Sequence, residues 1–117
     1  TILDPIVSCA ISIAIIIVAF RMAMPSIAEL LDASLPEEIE NQITATASAV
    51  EGVRDLHELK TRRNGISFII DAHMTVDPDI SIVEAHNIAT RVEEALRTKF
   101  GSETQISIHM EPDGSAD

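Results

Sequence analysis

Apolar and polar positions divide the chain into one continuous apolar run and a later region in which the two types alternate. The run from Pro5 to Phe20 carries no charged side chain, and Arg21 ends it. These 16 residues would extend roughly 24 Å as a helix, somewhat short of the ~30 Å hydrocarbon core of a bilayer. The run is too uniformly apolar for an amphipathic surface helix. It predicts a membrane helix through residues 5–20, with a buried core or interface helix as the alternative.

The helical pattern continues beyond the run as far as Leu31, with Pro25 predicted to kink the helix or to mark its exit from the membrane. The composition then changes from apolar to charged at residues 32–36. We place the domain boundary there, so that residues 1–31 form the apolar helix with its extension and residues 32–117 form a separate domain.

The second region alternates between helical spacing and the period of two that is typical of strands. In chain order, it predicts a helix over 36–49, strands over 53–63 and 66–76, a helix over 82–100, and a strand over 104–111. The order αββαβ predicts an α+β domain with two layers.

Short-range signals mark the ends of these elements. They are capping boxes at Ser34/Glu37 and Ser81/Glu84, a hairpin turn at Asn64-Gly65, and a helix C-cap at Gly101. The tail from Pro112 to Asp117 is expected to be disordered.

The charge and the single cysteine narrow the functional classes. A net charge of -11 disfavours nucleic acid as a partner because the phosphates would be repelled, and it favours cations. The alternative is that the acidity only keeps the domain soluble. Because Cys9 is the only cysteine, an internal disulfide and a zinc cluster of cysteines are excluded, which fits a reducing compartment.

Four histidines are the candidate metal ligands: His57, His73, His86 and His109. Neutral imidazole is the commonest nitrogen ligand for divalent metals. Residues two apart in a strand point to the same side, so His109 and Glu111 would direct a nitrogen and an oxygen donor toward one point. His73 falls on the polar face of the second strand, where a ligand and a simple exposed histidine are equally compatible with the pattern.

The strand register argues against a simple site. A strict two-residue turn at Asn64-Gly65 pairs Leu56 with His73, which places His57 on the face opposite to His73. A shared site then needs a bulge, a longer loop or a frayed strand start. By periodicity alone, His86 is a hydrogen-bonded structural histidine beside the apolar stripe of its helix. No zinc-finger or HExxH spacing is present.

Nine short strings, in this order and spacing, resemble the cation diffusion facilitator (cation efflux) family, covering its last transmembrane helix and C-terminal cytoplasmic domain. The strings are Leu3-Asp4-Pro5-Ile6, Leu30-Leu31-Asp32, Gly52-Val53, Asp55-Leu56-His57, Thr61-Arg62 with Gly65, Asp71-Ala72-His73, Val76-Asp77-Pro78, Glu84-Ala85-His86 and Ile108-His109-Met110-Glu111-Pro112.

The resemblance implies a ferredoxin-like or metallochaperone-like αββαβ domain after a transmembrane helix, in a transporter. An enzyme is not expected, since the sequence has no nucleophile with a base and no phosphate loop. Members of the family export divalent ions, commonly zinc, in exchange for protons, and they work as homodimers. Their cytoplasmic domain binds metal near the dimer interface, which tightens the dimer and promotes transport. Imidazole with carboxylate suits Zn²⁺, and also Mn²⁺, Fe²⁺, Co²⁺ or Cd²⁺.

The resemblance also assigns roles to particular residues. The implied metal ligands are His57, His73, His86, His109 and Glu111, where relatives often have Asp at the last position. Asp32 matches an acid that in some relatives forms a salt bridge with the membrane domain and so couples the two parts.

The transport ligands of the family lie on earlier transmembrane helices, so we expect the chain to be a fragment of a six-helix transporter whose N-terminal helices are its partners. The expected location is a bacterial cytoplasmic membrane with residues 32–117 in the cytoplasm, the side that Arg21 favours. The alternative is a membrane-anchored or soluble metal-binding or dimerisation module that belongs to no transporter.

Overall fold

A computed structural model of the chain describes residues 1–31 and 33–114. The chain separates into two compact units, Thr1–Asp32 and Ala33–Asp117. In the first unit, helix α1 runs over Leu3–Leu30, continues through Pro25, and has no buried residue. By length and composition, α1 is able to cross a membrane. The transmembrane assignment itself remains a prediction.

The second unit contains two helices and a three-stranded sheet. Its elements are α2 (Glu37–Ser48), β1 (Asp55–Asn64), β2 (Ser67–Val76), α3 (Ile82–Phe100) and β3 (Gln105–Pro112). The strands lie in the order β1-β2-β3. β1 runs antiparallel to β2, and β3 runs parallel to β2 after the α3 crossover. The predicted order αββαβ and the α+β class are therefore confirmed.

The alternation of residues along β2 determines which face of the sheet is buried. Ile70, Ala72, Met74 and Val76 are buried, and all of them except Ala72 pack in one cluster with residues of α3 such as Val92. Because strand side chains alternate, the residues between them point to the other face of the sheet. The helices thus cover one face of the sheet, and the polar residues of β2, including His73, lie on the face opposite the helices.

The two predicted capping boxes have different outcomes. At α3, the Ser81 hydroxyl accepts a hydrogen bond from the Glu84 N–H at 3.1 Å, as predicted. The capping box at Ser34 is wrong, since α2 begins after Pro36 and has no side-chain cap. Instead, the buried Leu35 donates its N–H to the Thr61 hydroxyl at 3.0 Å. The segment before α2 is therefore held against β1.

The hairpin and the tail also differ from the sequence prediction. Asn64 pairs with Ser67, so the two-residue loop is Gly65-Ile66, one position later than predicted. Gly65 has the positive φ of 60° that favours glycine. The predicted disorder is wrong for the start of the tail, because β3 reaches Pro112 and the next N–H, that of residue 113, bonds to β2. Positions 115–117 lie outside the described residues.

Candidate metal centre

A β-bulge in β1 brings His57 onto the face of His73. His57 pairs with His73, but the next pair toward the hairpin is Lys60 with Asp71, so β1 contains one extra residue. An unbroken ladder from Asn64 opposite Ser67 would instead align Glu58 with His73. The predicted pairing of Leu56 with His73 is therefore wrong, because the loop is displaced by one residue and the bulge then shifts the register again.

Three histidines form a row across the open face of the sheet. His73 in the central strand pairs with His57 on β1 and with His109 on β3. The ring centroids of His57 and His73 are 5.7 Å apart, and those of His73 and His109 are 4.8 Å apart. The row presents three imidazoles from three strands side by side.

The carboxylate of Glu111 lies close to all three rings of this row. Its two carboxylate oxygens contact different rings: Oε2 is 3.2 Å from His57 Nε2, and Oε1 is 2.8 Å from His73 Nδ1. His109 Nε2 is farther away, at 3.7 Å from Oε1. As predicted for residues two apart in a strand, His109 and Glu111 share a face, and that face is also shared with His57 and His73.

The histidines control the ionisation of Glu111. Partial burial raises its pKa, but hydrogen bonds and attraction from His73, with a further contribution from His57, outweigh burial, so that the pKa lies below its ordinary value. Asp55 adds a second acid, with Oδ2 at 3.3 Å from His57 Nδ1. The lowered pKa keeps the Glu111 carboxylate ionised next to imidazole nitrogens at neutral pH.

The donor set fits a divalent cation. Ligand atoms of His57, His73 and Glu111 all lie within 4.8 Å of one another. In a tetrahedral zinc site with bonds of about 2.0 Å, neighbouring ligand atoms are roughly 3.3 Å apart, close to the two contacts that Glu111 makes. Nearby, the buried Thr75 hydroxyl has no hydrogen-bond partner among the described residues, and Thr75 pairs with Glu111. A water bound to a metal here would give this hydroxyl a partner.

Two predicted ligands stand apart from this cluster. His109 is the more exposed neighbour, with 67% of its side chain accessible. His86 is exposed on α3, the helix that packs against the opposite face of the sheet. Among the described residues, the group that could hold a metal does not include His86. The predicted coupling residue Asp32 lies outside the described residues.

Sequence reasoning missed Glu58, which occupies the bulge. Its Oε2 lies 3.6 Å from His73 Nε2, on the side of the ring away from Glu111. The sequence did carry one signal for this residue. A shared site for His57 and His73 required a bulge, and Glu58 directly follows His57 at that place.

An ion-pair cluster joins the strand ends beside the centre. Arg54, just before β1, contacts Asp77 after β2 at 2.6 Å and Asp113 after β3 at 2.7 Å. The hydrogen bond to Asp113 and the attraction of both acids raise the pKa of Arg54 further. The contacts tie together the ends of all three strands that carry the histidine row.

The fold and the site define the class: a ferredoxin-like α+β domain with a histidine–carboxylate cluster on an open sheet, in a chain that also has a long apolar helix. The chain belongs to the cation diffusion facilitator family, because the family profile described as "Cation efflux protein, cytoplasmic domain" matches residues 35–113.

Similar proteins include pumps and a plant protein. The cation-efflux pump FieF of Klebsiella pneumoniae is 34% identical over 109 residues, which are 93% of this chain and 36% of the pump. Metal tolerance protein C1 of Arabidopsis thaliana is 33% identical over 94% of this chain and 23% of its own length. The chain thus spans about a third of the FieF sequence.

Solved structures support the fold. The Zn form of CzrB superposes with a TM-score of 0.62 at 32% identity, covering 72% of this chain and 96% of that one. A nickel form of a variant MamM CTD gives a TM-score of 0.61 at 27% identity, over 66% of this chain and 98% of that one. The ferredoxin-like prediction is confirmed by these neighbours.

Proposed function

We propose that the cytoplasmic domain of this chain senses a divalent metal ion, zinc in the first place, and regulates export by the transporter to which it belongs. His57, His73 and Glu111 supply three ligands, and His109 supplies a fourth or binds a second ion. Three protein ligands around zinc leave a position for a fourth donor or for water.

One observation carries the proposal: a single carboxylate is shared between two imidazoles that come from different strands. Glu111 contacts His57 and His73 through separate oxygens. The bulge that makes this possible puts a non-glycine residue at a φ of 47°, a conformation that costs free energy and tends to persist at functional sites. Solved neighbours in zinc and nickel forms support binding of such ions.

The role in transport is inferred from the extent of the similarity. The match to FieF covers 93% of this chain, so it includes most of α1 as well as the domain at 35–113. We infer that α1 is the last transmembrane helix, that the preceding helices carry the transport site, and that the ion is exported in exchange for protons. The whole protein would lie in a bacterial cytoplasmic membrane with the metal-sensing domain in the cytoplasm.

His86 enters the proposal as a ligand supplied by a second copy of the chain. It lies on the helical layer, away from the cluster of its own subunit, yet the family pattern includes it among the ligands. A homodimer in which His86 of each copy completes the site of the other would make metal binding and dimer closure favour each other.

Isothermal titration calorimetry of the whole chain in detergent micelles with ZnCl₂ tests the site. We expect saturable binding, and a loss of affinity of at least about 100-fold in His73→Ala and in Glu111→Gln, since even residues that only support the ligands typically change metal affinity by ~10–100-fold.

Glu94→Gln is the matched control, because Glu94 is an exposed acid on α3, on the helical layer. It removes the same charge while leaving the cluster intact, so its affinity should match that of the unmodified chain. Equal affinities in Glu111→Gln and Glu94→Gln would contradict the site.

A further inference from the structure

We propose that Glu58 is a positioning residue of the metal centre: it holds the proton of His73 on Nε2 and so leaves Nδ1 free for the metal. This inference rests on the proposed function and adds a residue that the family ligands do not include. The juxtaposition that carries it is a carboxylate on each side of one imidazole, Glu111 at Nδ1 and Glu58 at Nε2.

The two ring nitrogens of a neutral histidine have different roles. One carries the proton and donates a hydrogen bond, while the other has the lone pair that binds a metal. Histidine ligands of metals almost always donate the remaining N–H to a carboxylate, a carbonyl or water, which fixes both the tautomer and the ring orientation. Here Nδ1 faces the shared ligand Glu111 at 2.8 Å, so a metal that binds between them requires the proton of His73 to be on Nε2.

Glu58 is the acid placed to receive that proton. Its Oε2 is 3.6 Å from Nε2, within ion-pair distance but longer than a hydrogen bond, and the Glu58 side chain is exposed. Without it, Glu111 alone would favour the tautomer with the proton on Nδ1. That tautomer directs an N–H, not a lone pair, at the position of the metal.

The backbone of Glu58 supports the assignment. Among the described non-glycine residues it is the one with a positive φ, 47°, and it lies in the bulge that places His57 opposite His73. Glycine would adopt this conformation with less strain. A glutamate at this position is unfavourable for the fold, so we ascribe its presence to the side chain.

Two substitutions of Glu58 distinguish the effect of its backbone conformation from the effect of its side chain. In Glu58→Gly the backbone strain at position 58 is relieved and the carboxylate is lost. In Glu58→Gln the backbone requirement stays nearly the same, and the amide oxygen is a weaker acceptor for Nε2–H. We expect the zinc Kd of the whole chain in detergent micelles to rise about tenfold in Glu58→Gly, at the lower end of the ~10–100-fold range for such partners, and to take an intermediate value in Glu58→Gln.

Two further readouts distinguish positioning from a purely structural role. In the metal-free chain at about pH 8, ¹⁵N NMR of His73 should show the tautomer population moving toward Nδ1–H in both variants. The thermal midpoint of unfolding should be unchanged or higher in Glu58→Gly. Glu94→Gln should leave the Kd, the tautomer and the midpoint as they are.

Unchanged zinc affinity and tautomer in both Glu58 variants, in a chain that itself binds zinc, would overturn the role of Glu58 and leave the metal centre standing. An unmodified chain that fails to bind zinc, nickel and cadmium would instead overturn the proposed function. The two failures are therefore distinguishable in one set of titrations.

Discussion

At the scale of single residues, the centre depends on the length of one side chain. Glu111 reaches His57 with one oxygen and His73 with the other. Relatives often have the shorter aspartate at this position, according to the resemblance, and a shorter carboxylate would retract from at least one ring. The glutamate therefore suits the spacing of the two rings in this chain, where the bulge sets their separation.

The pH dependence of metal binding should follow the imidazoles and not Glu111. Histidines must be neutral to bind a metal, so metal binding competes with protons and the affinity should fall as the pH drops. Glu111, whose pKa lies below its ordinary value because of its contacts with His73 and His57, keeps its charge to a lower pH than an ordinary glutamate does. Zinc titrations between pH 8 and 5 should show the fall around the histidine range, and constant affinity down to pH 5 would contradict imidazole ligation.

The same lowered pKa makes a prediction for the metal-free chain. A group whose folded pKa is depressed contributes stability above its unfolded pKa, and this contribution disappears as the pH falls through the folded value. Glu111→Gln should therefore reduce the stability near neutral pH and flatten its decline below about pH 4.3. Acid titration of the thermal midpoint, compared with Glu94→Gln, measures the difference.

At the scale of elements, the strands were easier to predict than their pairing. The alternation in β2 predicted its buried face, and Ser81 with Glu84 predicted the start of α3. The register was not predictable, because two local events decided it: the loop moved to Gly65-Ile66 and an extra residue entered β1. The moved loop changes the partner of His73 by two residues, from Leu56 to Glu58, and the bulge moves it back by one to His57. A shift of one residue moves a side chain to the other face.

The start of α2 shows why the first capping box failed. Leu35 directs its N–H to Thr61, and the Thr61 hydroxyl in turn lies 2.5 Å from Glu40 Oε1. A contact with a residue of a strand that follows much later in the chain cannot be read from a four-residue pattern. It holds the segment before α2 against β1 without a side-chain cap.

Thr61 should therefore be important for stability. In Thr61→Val, the buried N–H of Leu35 loses its acceptor, which should cost about 1–3 kcal/mol of unfolding free energy. Thr61→Ser keeps the hydroxyl and should lose much less. Denaturant unfolding of both variants in detergent measures the difference, and equal stability of the two would show that the hydroxyl contributes nothing.

At the scale of the whole molecule, the resemblance to the family implies that His86 is a ligand, which the geometry of a single subunit does not show. The cluster of His57, His73 and Glu111 lies within one subunit, while His86 lies on the other layer. Local patterns in a single chain cannot indicate a ligand from a second copy, since periodicity and spacing describe one chain only. In the proposed homodimer, His86 would be the ligand that one copy supplies to the other.

Metal should shift the chain toward the dimer. If His86 of one copy completes the site of the other, adding zinc should increase the dimer fraction in sedimentation equilibrium, and His86→Ala should abolish this increase while retaining binding by the cluster. The physical reason is linkage, because metal stabilises the dimer only by its higher affinity for that state. An undiminished zinc effect on dimerisation in His86→Ala would contradict the assignment.

The central claim is that a divalent ion binds between His57, His73 and Glu111. Anomalous diffraction from zinc-loaded crystals of the chain tests it most directly. The account predicts a strong zinc peak at about 2.0–2.2 Å from His57 Nε2, His73 Nδ1 and a carboxylate oxygen of Glu111. A fully loaded crystal with zinc peaks only elsewhere, and the three side chains free of metal, would contradict it.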